Sequence, residues 1–170
     1  RNVLARFGRY RAPRYLLKHD APEGLVNEVV EAAAQMKLRR IRGLIVMERQ
    51  IGLREYTETG TRVDGQVSAP LIVSLFTPPS PLHDGAVVIS GSHVHSAAVT
   101  LPLSEKTYQD GFLGMRHRAG LGVATVTDAV AVIVSETNGR ISFANRGRLL
   151  MDLTPAQLKY NITEALLKET

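Results

Sequence analysis

From about position 21 the chain alternates between stretches whose apolar residues recur at helical spacing and short runs that are apolar throughout. Leu25, Val29, Ala33 and Met36 mark one helix face, and Asp20-Ala21-Pro22-Glu23 ahead of them has the form of a capping box with an early proline, so a helix is predicted over about 21–38. Gly43-Leu44-Ile45-Val46-Met47 is almost wholly apolar and too short for a helix, which predicts a central strand covered on both faces. Ser68 can cap a second helix through Leu71, Ile72, Leu75 and Phe76. That helix must stop near Pro78-Pro79, since proline lacks a donor and restricts its predecessor.

The rest of the chain reads mainly as hairpins. Ala86–Ile89, a turn at Ser90-Gly91-Ser92, and Val94 through Thr100 predict one, and Val130–Val134 with Arg140–Ala144 around Asn138-Gly139 predict another. Thr154-Pro155-Ala156-Gln157 supplies an N-cap, a proline at the first helical position and a box partner, with Leu153 and Leu158 as a staple. Leu158, Ile162 and Leu166 then repeat every four residues as a C-terminal helix face. The expected fold class is α/β (α+β): a mixed, mostly antiparallel, twisted central sheet flanked by helices. Neither repeats nor low-complexity tracts interrupt it.

Length and composition fit one unit. The 170 residues suffice for a sizeable core. The absence of cysteine rules out disulfides and thiolate metal sites. No apolar run approaches the roughly 18 residues that span a bilayer, so the chain as given is expected to be soluble. A net charge of +5 and a pI near 9.8 raise the possibility of a nucleic-acid partner. The placement of the charge argues against it. Six basic residues (Arg1, Arg6, Arg9, Arg11, Arg14, Lys18) and no acid fall within residues 1–19, leaving 15 basic and 16 acidic residues beyond. Residues 1–19 therefore read as a basic linker, a solvated tail or a segment lying near anionic headgroups, and residues 20–170 as the functional domain. The opening at Arg1 is read as that of a fragment whose longer parent holds an address or anchor upstream.

Three short segments carry candidate chemistry. His83-Asp84-Gly85 precedes an apolar strand; Asp84 can hold a divalent cation or accept a hydroxyl proton, and Gly85 allows close approach to the backbone. In isolation the same letters describe a turn. Arg116-His117-Arg118, set between Gly114 and Gly120, suits phosphate oxygens, more so if a helix begins there. Its alternative is a solvated basic turn. Ser135-Glu136 ends an apolar strand with a hydroxyl and a carboxylate that could reach phosphate or metal, or simply open a turn. His93 and His95 share a strand face and with His83 could form a zinc site, but polar alternation beside a turn is ordinary for an exposed strand and is the better explanation. Gly120-Leu121-Gly122 is too short for a dinucleotide fingerprint and follows no strand.

In order along the chain, RGLIVMERQIGLREYTETG, PLHDGAVVISG, LPLSE, LGMRHRAGLG, TDAVAVIVSETNGRIS and the helix after LTPAQL resemble the diadenylate cyclase catalytic domain over about residues 21–168. The likeness is to the membrane-tethered branch. The resemblance implies condensation of two ATP into cyclic di-AMP across a face-to-face homodimer, with the 3′-hydroxyl of one ATP attacking the α-phosphate of the other. It further implies Asp84 in hydroxyl activation with Mg²⁺ or Mn²⁺, and His83 and Glu136 as further metal partners. Arg116, His117 and Arg118 would position phosphates, and Ser135 would contact the phosphate tail. Gly85, Ala86 and Met115 would lie along the nucleotide, and the Leu101 backbone would read the adenine edge. The implied location is the cytoplasmic face of a membrane.

Four departures from the family pattern cover five positions: Met115 where threonine is common, Thr100 for an aromatic, Ala124-Thr125 for Ser-Glu, and Thr137 for a second glutamate. They motivate an alternative reading as a catalytically weak or inactive nucleotide-binding partner of the same fold.

Overall fold

The computed structural model describes residues 22–106, 113–135 and 139–167. Five helices and seven strands occur among them: α1 (Pro22–Arg39), β1 (Gly43–Met47), α2 (Arg54–Thr57), β2 (Thr61–Gln66), α3 (Ala69–Phe76), β3 (Ala86–Ser90), β4 (His93–Val99), α4 (Met115–Val126), β5 (Val130–Val134), β6 (Ile141–Asn145), β7 (Arg148–Leu153) and α5 (Pro155–Leu167). The strands form one sheet in the order β2-β4-β3-β1-β5-β6-β7. Only β1 and β3 run parallel; every other neighbouring pair is antiparallel. The expected mixed, mostly antiparallel sheet is therefore present, with the apolar run of β1 at its centre.

Strand alternation divides the core into two layers. Ile45, Met47, Val87, Ile89, Val132 and Phe143 face one side, where Val29, Met36, Ile72, Phe76, Leu158 and Ile162 of α1, α3 and α5 meet them. Leu44, Val46, Ala86, Val88, Ala131, Ile133 and Ala144 face the other, together with Leu53 beside α2 and Val123 of α4. Small residues on this second face let α4 lie close. A Cβ added at Gly120 would press on Ile133 and Leu44, and one at Gly122 would collide with the carbonyl of Pro102. The glycine pair set aside as a dinucleotide fingerprint is thus a packing device.

Capping follows the expected chemistry. The Ser68 side chain accepts from Leu71 N–H at 3.2 Å, and α3 ends at Phe76, just before the prolines. Thr154 and Gln157 form the reciprocal box, at 2.9 and 3.1 Å, and Leu153 and Leu158 are both buried. The box proposed for α1 involves Asp20 and Ala21, which lie outside the described residues, as do the basic segment 1–19 and Asn138 of the second hairpin.

Three elements were not expected. Both edge strands carry weak patterns: β2 (TRVDGQ) has no fully buried residue, and β7 leaves Leu150 and Met151 exposed. Their pairing with β4 and β6 makes them strands, not their own alternation. The single turn α2 is fixed from outside: the Glu48 carboxylate accepts from Leu53 N–H and Ser90 Oγ–H, both at 2.8 Å, and Asp128 accepts from Gln50 and Ile51 N–H.

Because the Gly122 contact is with backbone, Gly122→Ala is expected to lower stability by about 1–3 kcal/mol and to displace the 101–104 segment. Gly24→Ala, in an exposed turn of α1 with open space around it, is expected to be neutral or stabilising by up to about 1 kcal/mol. Thermal unfolding of both variants checks the contrast.

Candidate functional site

Register brings the candidate segments to one end of the sheet. Ile45 is level with Val87 in the parallel pair, Gly43 with Val134, Ala86 with Val99, and Val134 with Ile141. The start of β3, the end of β4 and the end of β5 therefore share an edge with the start of β1. Helix α4 runs back over the second face and feeds β5, so its N-terminus lies at that same end. Asp84-Gly85, Leu101, Arg116-His117 and Ser135 converge although about 50 residues separate the first from the last.

The contacts bear out that placement. Arg116 Nη2 lies 3.5 Å from Asp84 Oδ1, with the arginine side chain 21% exposed and the carboxylate 86% exposed. An ion pair so open on its acidic side is held by only about 1 kcal/mol or less, so ligand phosphate or a cation can rearrange it. Ser142 Oγ, fully buried on β6, lies 3.5 Å from His117 Nε2. Burial pushes the His117 imidazole below the ordinary value near 6.5. The triplet thus brings two permanent cations and an imidazole biased to neutrality, rather than three equivalent charges.

Arg118 plays a different part from Arg116. Its Nε donates to the Ser104 carbonyl at 3.0 Å, and Ser104 N–H donates to the Arg118 carbonyl at 2.9 Å. These bonds fasten the LPLS segment to α4 directly beside the Gly122–Pro102 contact. On the other side, Thr59 Oγ1 accepts from Thr100 N–H at 2.9 Å and donates to the Tyr56 carbonyl at 2.6 Å. Leu101 itself is buried. Thr59 was not singled out from sequence, because one threonine in a polar loop carries no pattern.

Gly85 has φ +95°, and an added Cβ would meet the backbone of Ala98 and Val99 within 3.0 Å. Its lack of a side chain is therefore required by the sheet as well as suited to a ligand. Gly114 caps α4 without a side-chain bond, and the N-terminus of a helix is a favourable place for an anion. Met115, on the first turn, is 62% exposed. Ala86 is buried under the second face.

His83 Nδ1 donates to the Ser80 carbonyl at 2.6 Å, which fixes the ring and leaves the lone pair on Nε2. No group of three or more possible metal-binding side chains occurs among the described residues, and Glu136 lies outside them. Donors limited to Asp84 and His83 fit a hard cation that arrives with substrate phosphates and keeps much of its shell from them. They do not form an enclosed cage. His93 and His95 lie toward the opposite end of β4, since His93 pairs with Ser90 and Val99 with Ala86, so the three-histidine zinc site is not assembled.

The fold and site define an α/β nucleotide-binding domain with its anion-receptive groups at one sheet end. The family described as "DAC: DisA bacterial checkpoint controller nucleotide-binding" matches residues 30–149, and the chain belongs to that family. It is 38% identical over 151 residues to the cyclic di-AMP synthase CdaA of Bacillus subtilis, covering 89% of this chain and 55% of the relative. It is 40% identical over 145 residues to a diadenylate cyclase of Listeria monocytogenes, covering 85% of this chain and 52% of the relative. The chain thus spans about half the length of these relatives. A crystal structure of a DacA double mutant from Staphylococcus aureus superposes with a TM-score of 0.82 at 40% identity, covering 86% of this chain and 98% of that one. A protein from Bacillus cereus described as a hypothetical membrane spanning protein gives 0.73 at 39% identity, covering 82% and 69%. Among the described residues, no helix of this chain is long and apolar enough to cross a membrane.

The depressed His117 value sets a pH dependence. Between the folded value and about 6.5 the unfolded chain binds the extra proton and the folded chain does not, so stability rises with pH across that window. Acidification below about 6.5 is expected to destabilise the protein, and His117→Gln to remove that component. Denaturant midpoints from pH 5 to 8 measure it.

Proposed function

We propose that the chain is the catalytic domain of a diadenylate cyclase, condensing two ATP into cyclic di-AMP and two pyrophosphates. The supporting observation is the convergence of Asp84, Arg116, His117, Leu101 and Ser135 at one end of the second sheet face, in a chain of this family. The 3′-oxygen of one ATP bonds to the α-phosphorus of the other while the bond from that phosphorus to the bridging oxygen breaks. Pyrophosphate leaves, and the hydroxyl proton passes toward Asp84. Mg²⁺ or Mn²⁺ held by Asp84, with His83 and Glu136 as further ligands, would polarise phosphate oxygens and lower the cost of their charge.

Arg116 and the N-terminus of α4 offset charge on the phosphates, and neutral His117 offers a single ring donor. The Leu101 backbone, held between Thr59 and Arg118, reads the adenine edge, Ser135 meets the phosphate tail, and Gly85, Ala86 and Met115 border the nucleotide. Two nucleotides must face each other for ring closure, so the active form is a homodimer, stable or transient. We extend the reading to a full-length protein tethered at the cytoplasmic face of a membrane. Likeness to a protein described as membrane spanning and the six basic residues within 1–19 support it.

A second reading, a weak or inactive nucleotide-binding partner, draws on Met115 and Thr100. Both are exposed at the site end, where a hydroxyl and an aromatic ring are missing. Ala124 and Thr125 lend it nothing. They sit at the far end of α4, where Ala124 accepts from Gly147 N–H and Thr125 bonds back to the Leu121 carbonyl. Thr137 lies outside the described residues.

Purified protein with ATP and Mn²⁺ or Mg²⁺ is expected to form cyclic di-AMP with specific activity that rises with protein concentration. Tight ATP binding without product at any concentration would establish the second reading instead. Asp84→Asn is expected to keep ATP affinity within a few-fold and to lower turnover by about 100-fold or more. Near-normal turnover would remove Asp84 from the hydroxyl step.

A further inference from the structure

Arg42 was not among the sequence candidates, yet the topology sets it between two of them. Ile45 is level with Val87 in the parallel β1/β3 pair, and carried back past the strand ends this register brings Arg42, just before β1, to the neighbourhood of Asp84, two residues before β3. Gly43 is level with Val134 in the antiparallel β1/β5 pair, so on its other side Arg42 is level with Ser135. Asp84 and Ser135 are thus separated by two strand spacings, about 10 Å, with Arg42 between them.

The face follows from neighbouring residues. An added Cβ at Gly43 points at Met36 and Phe76 in the first core layer, whereas Leu44 and Val46 belong to the layer under α4. Alternation puts Arg42 on the α4 face. Asp84 lies toward that face by its contact with Arg116 of α4, and Ser135 follows Ile133 on it. Arg42 is half-buried, as are Arg116 and Ser135. Arg116 thus reaches Asp84 from the helix above it, and Arg42 lies on the same face at the start of the neighbouring strand.

We propose that Arg42 binds the terminal phosphates of the nucleotide, the part that departs as pyrophosphate, and so distinguishes triphosphate from monophosphate. The inference rests on the cyclase reading, in which the α-phosphate lies near Asp84 and the phosphate tail extends toward Ser135. A diphosphate leaving group gains charge as its bond breaks, and a forked donor held by a central strand meets that charge without reorganising. With Met115 offering no hydroxyl at the first turn of α4, Arg42 supplies donors on the opposite side of the same phosphates. Arg42 is a binding and specificity residue in this account and takes no proton.

Calorimetric titration with 3′-deoxy-ATP and 3′-deoxy-AMP in Mg²⁺ tests it without turnover, because neither ligand has the attacking hydroxyl. Arg42→Ala is expected to weaken 3′-deoxy-ATP about tenfold or more while leaving 3′-deoxy-AMP within about twofold, and Arg42→Lys to recover part of the loss. Unchanged triphosphate affinity overturns the proposal. So does an equal loss for both ligands, which would mean a distorted pocket, and the unfolding temperature of each variant reports such distortion separately. Wild-type protein that binds neither ligand overturns the cyclase reading and the Arg42 role together. Wild-type preference for triphosphate that survives in Arg42→Ala overturns the Arg42 role alone.

Discussion

The close seat of α4 on the second face of the sheet is the contact on which the site depends. Gly120 lets the helix settle over Ile133 and Leu44, and Gly122 lets the Pro102 carbonyl come against it. Arg118 then ties Ser104 to the same helix by two hydrogen bonds. One packing contact thereby fixes both the N-terminus of α4 and the backbone segment beside Leu101. A methyl group at either glycine would push against core or backbone, and both functional parts would move together.

The sheet supplies the complementary constraint. Its register brings the ends of β1, β3 and β5 that adjoin Arg42, Asp84 and Ser135 to one edge. The opposite end of β1 and β3 is tied down by carboxylates, with Glu48 bonding Leu53 and Ser90 and Asp128 bonding Gln50 and Ile51. Acidic groups serve as clamps at that end. At Asp84 the carboxylate is exposed and its pairing with Arg116 is long. Such weak pairing suits a residue that must exchange partners when a nucleotide and its cation arrive.

Much of this was legible in the sequence where one residue pattern had one physical cause. The apolar run of β1, the Thr154–Gln157 box and the proline stop after Phe76 were each read from local chemistry and are present. Edge strands β2 and β7 were not legible, because their partners decide their state. The segments that the fold brings together were legible where motifs bear charge or glycine, as at Asp84, Gly85 and Arg116. The finer roles depend on tertiary contacts: Arg118 as a fastener, the lowered His117, Thr59 beneath Thr100, and Arg42 between Asp84 and Ser135. No spacing along the chain predicts that position 42 comes to the same sheet edge as positions 84 and 135. Only the strand order does.

The most direct measurement of the central claim is a crystal structure with 3′-deoxy-ATP and Mn²⁺. The account predicts adenine against the Leu101 backbone, the α-phosphate between Asp84 and Arg116, the terminal phosphates toward Arg42 and Ser135, and a second copy facing the nucleotide. A nucleotide bound elsewhere on the domain, or bound here with its phosphates turned away from Asp84 and the α4 N-terminus, would contradict it.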